Sequence, residues 1–399
     1  METEQKNKAP ASGSDRLLSL DVFRGLNMMF IMGLSGVVIA IAHCFPCSFW
    51  NTIAEQMNHV SWHGIRHHDM IFPTFLFLAG VSFPFSLAKQ RSQGKSSAAI
   101  YRKLCTRALI LVVLGILYNN TVSFDFANMR YASVLGHIGL AWLGAAVLFM
   151  NSRVRTQLLL VVLILVGYWL LLALVPAPDT NPHDWFTREA FQSRFQSLLH
   201  PNEQVQRGFE MEGSLVGYVD RCCLPGRLHR EIHDPEGLLS LIPAIVTALL
   251  GMMTGSCIRQ GQKASGRKAL CLLLAGLVLT AIGYLWDSCF PINKNLWTSS
   301  FTCFVGGISM VVLAVLYYLI DVRKFRWGMW IFLVVGMNSI TIYMAQRIVN
   351  FEPARDFFFG NFAAMFPPVV AELILAVGYM AVCWTFLLFL YKRKIFLKV

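Results

Sequence analysis

Charge is what this sequence has least of. Only 14% of its 399 residues are Asp, Glu, Lys or Arg, against about a quarter in an ordinary soluble domain, while 56% are hydrophobic. That balance excludes a soluble globular protein and implies an integral membrane protein. Acid is scarcer than base, 22 residues against 34, for a formal net charge of +12. Such a surplus would suit a nucleic-acid binder, but in a membrane protein the position of Lys and Arg matters more than their sum. Zinc-finger spacings, a P-loop and dinucleotide-binding glycine runs are all missing, which removes nucleic acid from the expected partners. No apolar N-terminal core precedes a small-residue cleavage site, so no removable signal peptide is expected. No internal repeat of the transporter kind stands out.

What the chain does have is long apolar runs, each near the ~20 residues a bilayer requires. They predict an all-α, polytopic membrane protein of about ten transmembrane helices, near 23–45, 70–87, 108–118, 133–150, 158–175, 238–258, 269–285, 299–320, 329–349 and 368–390. The third is short and is expected to start nearer Leu104. Basic residues fall in every second loop, as in Lys89 to Arg107, Arg259 to Lys268 and Arg323 to Arg326. Short basic loops are cytoplasmic, so both termini are expected inside the cell. Residues 1–15 are polar and read as a disordered cytoplasmic N-terminus, and 176–237 as a long non-cytoplasmic loop. Within that loop, 185–199 has the pattern of an amphipathic helix lying on the membrane surface. The ten cysteines are scattered through apolar stretches, where they act as small hydrophobes. Cys44 with Cys47, and the Cys222–Cys223 pair, could form disulfides on an oxidising face.

Between the first two spans lies the densest group of proton-handling side chains: His59, His63, Arg66, His67, His68 and Asp69, with four of the ten histidines. A histidine accepts and returns protons near neutrality, so His59 could be a general base or nucleophile, or simply an interfacial side chain. His59, His63 and His67 stand at i, i+4, i+8, which on a helix would be a metal-site spacing; Gly64 argues against a regular helix there, and no metal is assigned. Asp69 opens the second span, where it could cap the helix, orient His59 or hold a cationic amine. Arg24 lies inside the first span beside Asp21, either as an interfacial pair or as a phosphate ligand. Asp234 and Glu236 precede the sixth span, and Asn293, Lys294, Asn295 and Trp297 the eighth. These read either as ordinary helix starts and interfacial anchors or as ligands for a sugar and its amine. His137 is an ionisable group deep in the fourth span, hence a candidate functional residue.

The order of these blocks carries a resemblance. Arg16-Leu17-x-Ser19-Leu20-Asp21-x-Phe23-Arg24-Gly25, His59-x-Ser61-Trp62-x-Gly64 and Asp69-x-Ile71-Phe72-Pro73 come first. Gly217-Tyr218-Val219-Asp220-Arg221, Asp234-Pro235-Glu236-Gly237, Asn293-Lys294-Asn295-Leu296-Trp297 and Gly336-Met337-Asn338-Ser339-Ile340 follow. Together they resemble the heparan-α-glucosaminide N-acetyltransferase family, a lysosomal enzyme and its bacterial membrane relatives, over nearly the whole chain. The resemblance implies that 16–399 is one transmembrane acyltransferase domain. It would take an acetyl group from cytosolic acetyl-CoA and pass it to an amino sugar on the opposite face. His59 matches the catalytic histidine, supported by Asp69. Trp62, Asp234, Glu236, Asn293, Lys294 and Asn295 are assigned to the acceptor, and Arg24 and Arg107 to the coenzyme. Ser35 and His137 complete the coenzyme set, although the family pattern has an asparagine and a Gln-Arg pair at those places. A bacterial inner-membrane location and a homodimer are further implications. An amino-sugar transporter without acyl transfer is the alternative, and a metal protein built on His59, His63, His67 and Asp69 a third.

Overall fold

The computed structural model describes residues 17–121, 125, 128–175, 177–178, 209–211, 213–261 and 264–397. Among these the regular elements are helices, with one antiparallel bridge between Arg130 and Gly226. Eight helices are long and apolar enough to cross a membrane: Leu18–Cys44 (α1), His67–Ser92 (α2), Val134–Asn151 (α4), Val154–Leu174 (α5), Leu241–Arg259 (α6), Gly266–Trp286 (α7), Ser299–Val322 (α8) and Pro368–Lys392 (α11). Between α2 and α4 runs Ser97–Asn120 (α3), which contains the expected third span and is 24 residues long, though not one of those eight. The protein is therefore an all-helical integral membrane protein.

Two sequence expectations change. The span expected to run unbroken through 329–349 is two helices, Met329–Gly336 (α9) and Ser339–Ile348 (α10), bent by 65°. The cause is local. Gly336 is pressed onto the backbone of α1, and Asn338, at φ −125° and ψ 30°, leaves helical geometry just after it. The first span is also irregular: a wide turn over Phe30–Leu34 is made by Gly33 at φ 149°, a value that only glycine adopts readily. The expected surface helix at 185–199 and the N-terminal tail lie outside the described residues.

Helix starts follow side-chain chemistry. Ser96, Ser133, Ser265 and Thr298 each accept a hydrogen bond from the third amide of the helix they open, so each satisfies a donor that the helix itself cannot. The principal core gathers Phe77, Ala248, Trp297, Phe301 and Leu313, with α6 packed along α2 and α7 along α8. A second, smaller core joins α1, α9 and α11 through Met28, Met32, Val335 and Cys383. The candidate site lies where α2 and α3 face α1 and the broken pair.

Candidate active site

The histidine stretch is a loop tied down at several points. Gly64, at φ 102°, donates its amide to the Ile292 carbonyl at 2.8 Å. Trp62 donates Nε1 to the Phe209 carbonyl at 2.7 Å, and Arg230 reaches the Ser61 carbonyl at 3.2 Å. Because the loop is not helical, His59, His63 and His67 do not share a face. His63 meets Asn293, while the His67 ring packs at a tilt against Phe30. Among the described residues, no three His, Cys, Asp or Glu side chains converge to hold a metal ion, so the third reading loses its geometry.

His59 and Asp69 do come together. Asp69 Oδ1 lies 2.6 Å from His59 Nδ1, and Oδ2 accepts the amides of Val60 and Arg66 at 3.3 and 3.2 Å. One carboxylate therefore both caps α2 and holds the histidine. It is 2% exposed, whereas His59 is 53% exposed. An ionised carboxylate only accepts hydrogen bonds, so Nδ1 carries the proton and Nε2 is the basic nitrogen. Lys294 Nζ stands 3.7 Å from Asp69 Oδ1 and 3.5 Å from His59 Nδ1. Burial lowers the Lys294 pKa, although Asp69 and Glu236 pull it back up. The ring of His68 meets that of His59 edge-on at 4.6 Å.

The other residues assigned to the acceptor are mostly turned inward. Trp62 is 8% exposed and packs against His233, which leaves no open face for a sugar. Asn293 caps the turn at Leu296 and touches His63; Asn295 is also buried. Asp234 is fully buried, with Arg130 Nε and Nη2 on its two oxygens at 2.8 and 2.7 Å. Arg130 Nη2 also donates to Glu236. Burial works against the Asp234 carboxylate, yet the Arg130 bonds hold its pKa below the usual value. Burial pushes Glu236 up to about 7 despite the same arginine. These helix-start residues face the interior because the loops that carry them pack on one another. Sequence reasoning missed Arg130; its signal was a solitary arginine in a loop otherwise free of basic residues.

A cavity of about 320 Å³ opens between α1, α2, α3, α4 and the broken pair. Arg24 and Arg107 are the charged residues on its wall, with Phe72, Leu111, Ile138 and Tyr343 among its apolar and aromatic lining. Arg24 donates to Ser82 Oγ and lies 3.3 Å from Asp21. The Arg107 guanidinium sits 4.3 Å above the Trp142 ring. His137 is not on this wall. It is enclosed behind Phe72, 5.7 Å from that ring and 5.0 Å from Trp297. Ser35 also stands apart from the cavity, with its hydroxyl shielded and unpartnered. His59 does not line the cavity either; the two regions are linked by α2, which carries Asp69 at its start and Phe72, Phe75 and Ala79 on the cavity wall.

Residues 16–198 match the family model described as "Heparan-alpha-glucosaminide N-acetyltransferase, catalytic". The chain is also similar to two curated proteins named heparan-alpha-glucosaminide N-acetyltransferase. The human protein of that name is 27% identical over 389 residues, covering 85% of this chain and 54% of the human one. The mouse protein is 26% identical over 394 residues, covering 86% and 55%. The chain thus spans just over half the length of these family members. The family match covers Arg24, Ser35, His59, Asp69, Arg107, Arg130 and His137; the similarity to whole proteins extends beyond it.

Proposed function

We propose that this protein is a membrane acetyltransferase. It carries an acetyl group from acetyl-CoA on the cytoplasmic side to the amino group of a glucosamine-type sugar on the opposite face, with a bacterial inner membrane as the location. The observation that carries this reading is α2. Its first turn holds the His59–Asp69 pair, and its later turns wall a cavity bearing two arginines. From Asp69 to Ser82, the partner of Arg24, is thirteen residues, about 20 Å at 1.5 Å per residue. Acetyl-CoA has the matching shape: phosphates at one end, a thin arm and a thioester at the other.

In the reaction the sugar nitrogen forms a bond to the acetyl carbonyl carbon, the carbon–sulfur bond breaks, and the coenzyme leaves as its thiol. His59 Nε2 accepts the proton shed by the nitrogen, while Asp69 steadies the imidazolium through Nδ1. Alternatively Nε2 first takes the acetyl group and hands it to the amine; the Asp69 contact serves both routes. Lys294 is placed to offset negative charge beside the reacting carbonyl.

The decisive experiment uses proteoliposomes with labelled acetyl-CoA on one side and glucosamine on the other. Labelled N-acetylglucosamine should appear on the sugar side. Sugar uptake without acetylation would instead support a transporter, and product on the coenzyme side would sink the transmembrane route.

Arg24 and Arg107 are the proposed phosphate ligands. Contacts of this kind contribute roughly 1.5–3 kcal/mol each. Alanine at either position should raise the acetyl-CoA KM by about tenfold or more and lower kcat less. An unchanged KM in both variants would remove them from the site.

A further inference from the structure

The short helix Leu215–Cys223 and the turn before α6 place a second acid–histidine pair behind the candidate site. Asp220 and His233 are both completely buried, and Asp220 Oδ2 lies 3.9 Å from His233 Nδ1. Asp220 Oδ1 accepts the Leu238 amide at 2.9 Å, whereas Oδ2 and both ring nitrogens of His233 have no hydrogen-bond partner. Gly237 makes room for the acid, since a Cβ there would fall on the Asp220 carboxylate. One ring connects the pair to the site. Trp62 meets His233 edge-on at 5.4 Å and donates Nε1 to the Phe209 carbonyl at 2.7 Å. It stands three residues after His59 in the same loop.

An enclosed carboxylate is costly to keep charged, so it holds a proton or relies on a base beside it. Burial pushes Asp220 from 3.8 up to about 7, against the pull of the Leu238 and Asp234 amides and of Arg221, while the Asp234 charge adds to the rise. Burial lowers His233 from 6.5 to about 4; Asp234 and the Asn295 backbone oppose this, and Arg230 and His229 assist it. Tyr168 also faces Asp220, with its hydroxyl donated to the Leu296 carbonyl. The pair as a unit therefore carries one proton between about pH 4 and about 7, and none above.

We infer that Asp220 and His233 are positioning residues for the acceptor side: sharing one proton, they hold the His233 ring against Trp62 and, through it, the loop that presents His59. Loss of that proton leaves a bare carboxylate behind the ring and loosens the loop. The effect on rate rests on the proposed acetyl transfer; the effect on the loop does not.

The test compares the purified full chain with Asp220→Asn, which keeps an acceptor for the Leu238 amide and cannot ionise. The contribution of Asp220 to stability is complete below 3.8 and is lost as pH rises through about 7. Glu236 titrates in the same range in both proteins, so the difference between them belongs to Asp220. The Tm of Asp220→Asn relative to the wild type should therefore be higher at pH 8 than at pH 5, by about 2 °C or more. Amide exchange in the peptide 57–66, measured by mass spectrometry, should match in the two proteins at pH 5 and be faster in the wild type at pH 8. The KM for glucosamine should rise roughly threefold or more between those values in the wild type and stay level in Asp220→Asn, with the acetyl-CoA KM the same in both. His233→Ala removes the connecting ring and should leave the loop exchanging fast at both pH values. A Tm difference that is equal at pH 5 and pH 8, a loop whose exchange ignores Asp220→Asn, or a His233→Ala loop as protected as the wild type would each overturn the inference. Loop exchange that responds as described, in a protein that transfers no acetyl group, would keep the positioning pair and overturn the acetyltransferase reading instead.

Discussion

His59→Ala is expected to leave a folded protein whose acetyl transfer is slower by roughly 10²–10⁴-fold. The magnitude is that of losing a positioned base; loss of a nucleophile would cost at least as much. Folding should survive because His59 is half exposed and its ring belongs to no core cluster. Asp69 keeps its bonds to the Val60 and Arg66 amides, and Lys294 remains 3.7 Å from its other oxygen. The carboxylate is therefore not left unpaired when the imidazole goes. His63→Ala and His67→Ala serve as controls, since neither ring touches Asp69, and each should cost much less in rate. A His59→Ala enzyme with a near-normal turnover would remove the centre of the proposed mechanism.

Arg130→Ala should have the largest effect on stability, about 3–5 kcal/mol, as when one member of a buried charge pair is removed. Two carboxylates depend on this side chain, and one of them is completely enclosed. The loss should also depend on pH. Glu236 is raised from 4.5 to about 7 in the folded protein, so the folded state binds more protons than the unfolded one between those values. Its contribution is complete below about 4.5 and disappears as pH rises through about 7. Without Arg130 both acids must be neutralised by protons, so the Tm deficit should be smaller at pH 5 than at pH 8. A deficit that is equal at both, or no deficit, would show that the three groups are not coupled as described.

The helices were legible because burial in lipid demands long apolar runs, and that demand leaves its trace residue by residue. All ten expected spans fall on helices, although hydropathy has no term for direction, so the bend at Met337–Asn338 left no mark on it. Asp69 was readable as both a cap and a histidine partner, and the structure uses it as both. Asp234 and Glu236 were visible as acids at a helix start, but their partner lies 104 and 106 positions earlier in the chain. No local spacing reports such a contact. The loop-fastening contacts of Trp62 and Asn293 were hidden for a related reason. An aromatic ring or a carboxamide at a loop looks the same in sequence whether it greets a ligand or fastens one loop to another, and here both fasten.

The crossing of α1 and α9 has a bearing on how freely this sequence can drift. A Cβ on Gly25 would lie 1.9 Å from the Phe332 carbonyl oxygen, and one on Gly336 would lie 2.0 Å from that of Asp21. The next residue after Gly336 begins the bend, and the residue before Gly25 is Arg24. A single methyl at this contact would push the backbones apart and carry the guanidinium and the turn with them. Two small residues, neither with any chemistry of its own, thus tie the placing of the Arg24 guanidinium and of the bend to the packing of two membrane helices, so that neither can be tuned by mutation there without disturbing the other.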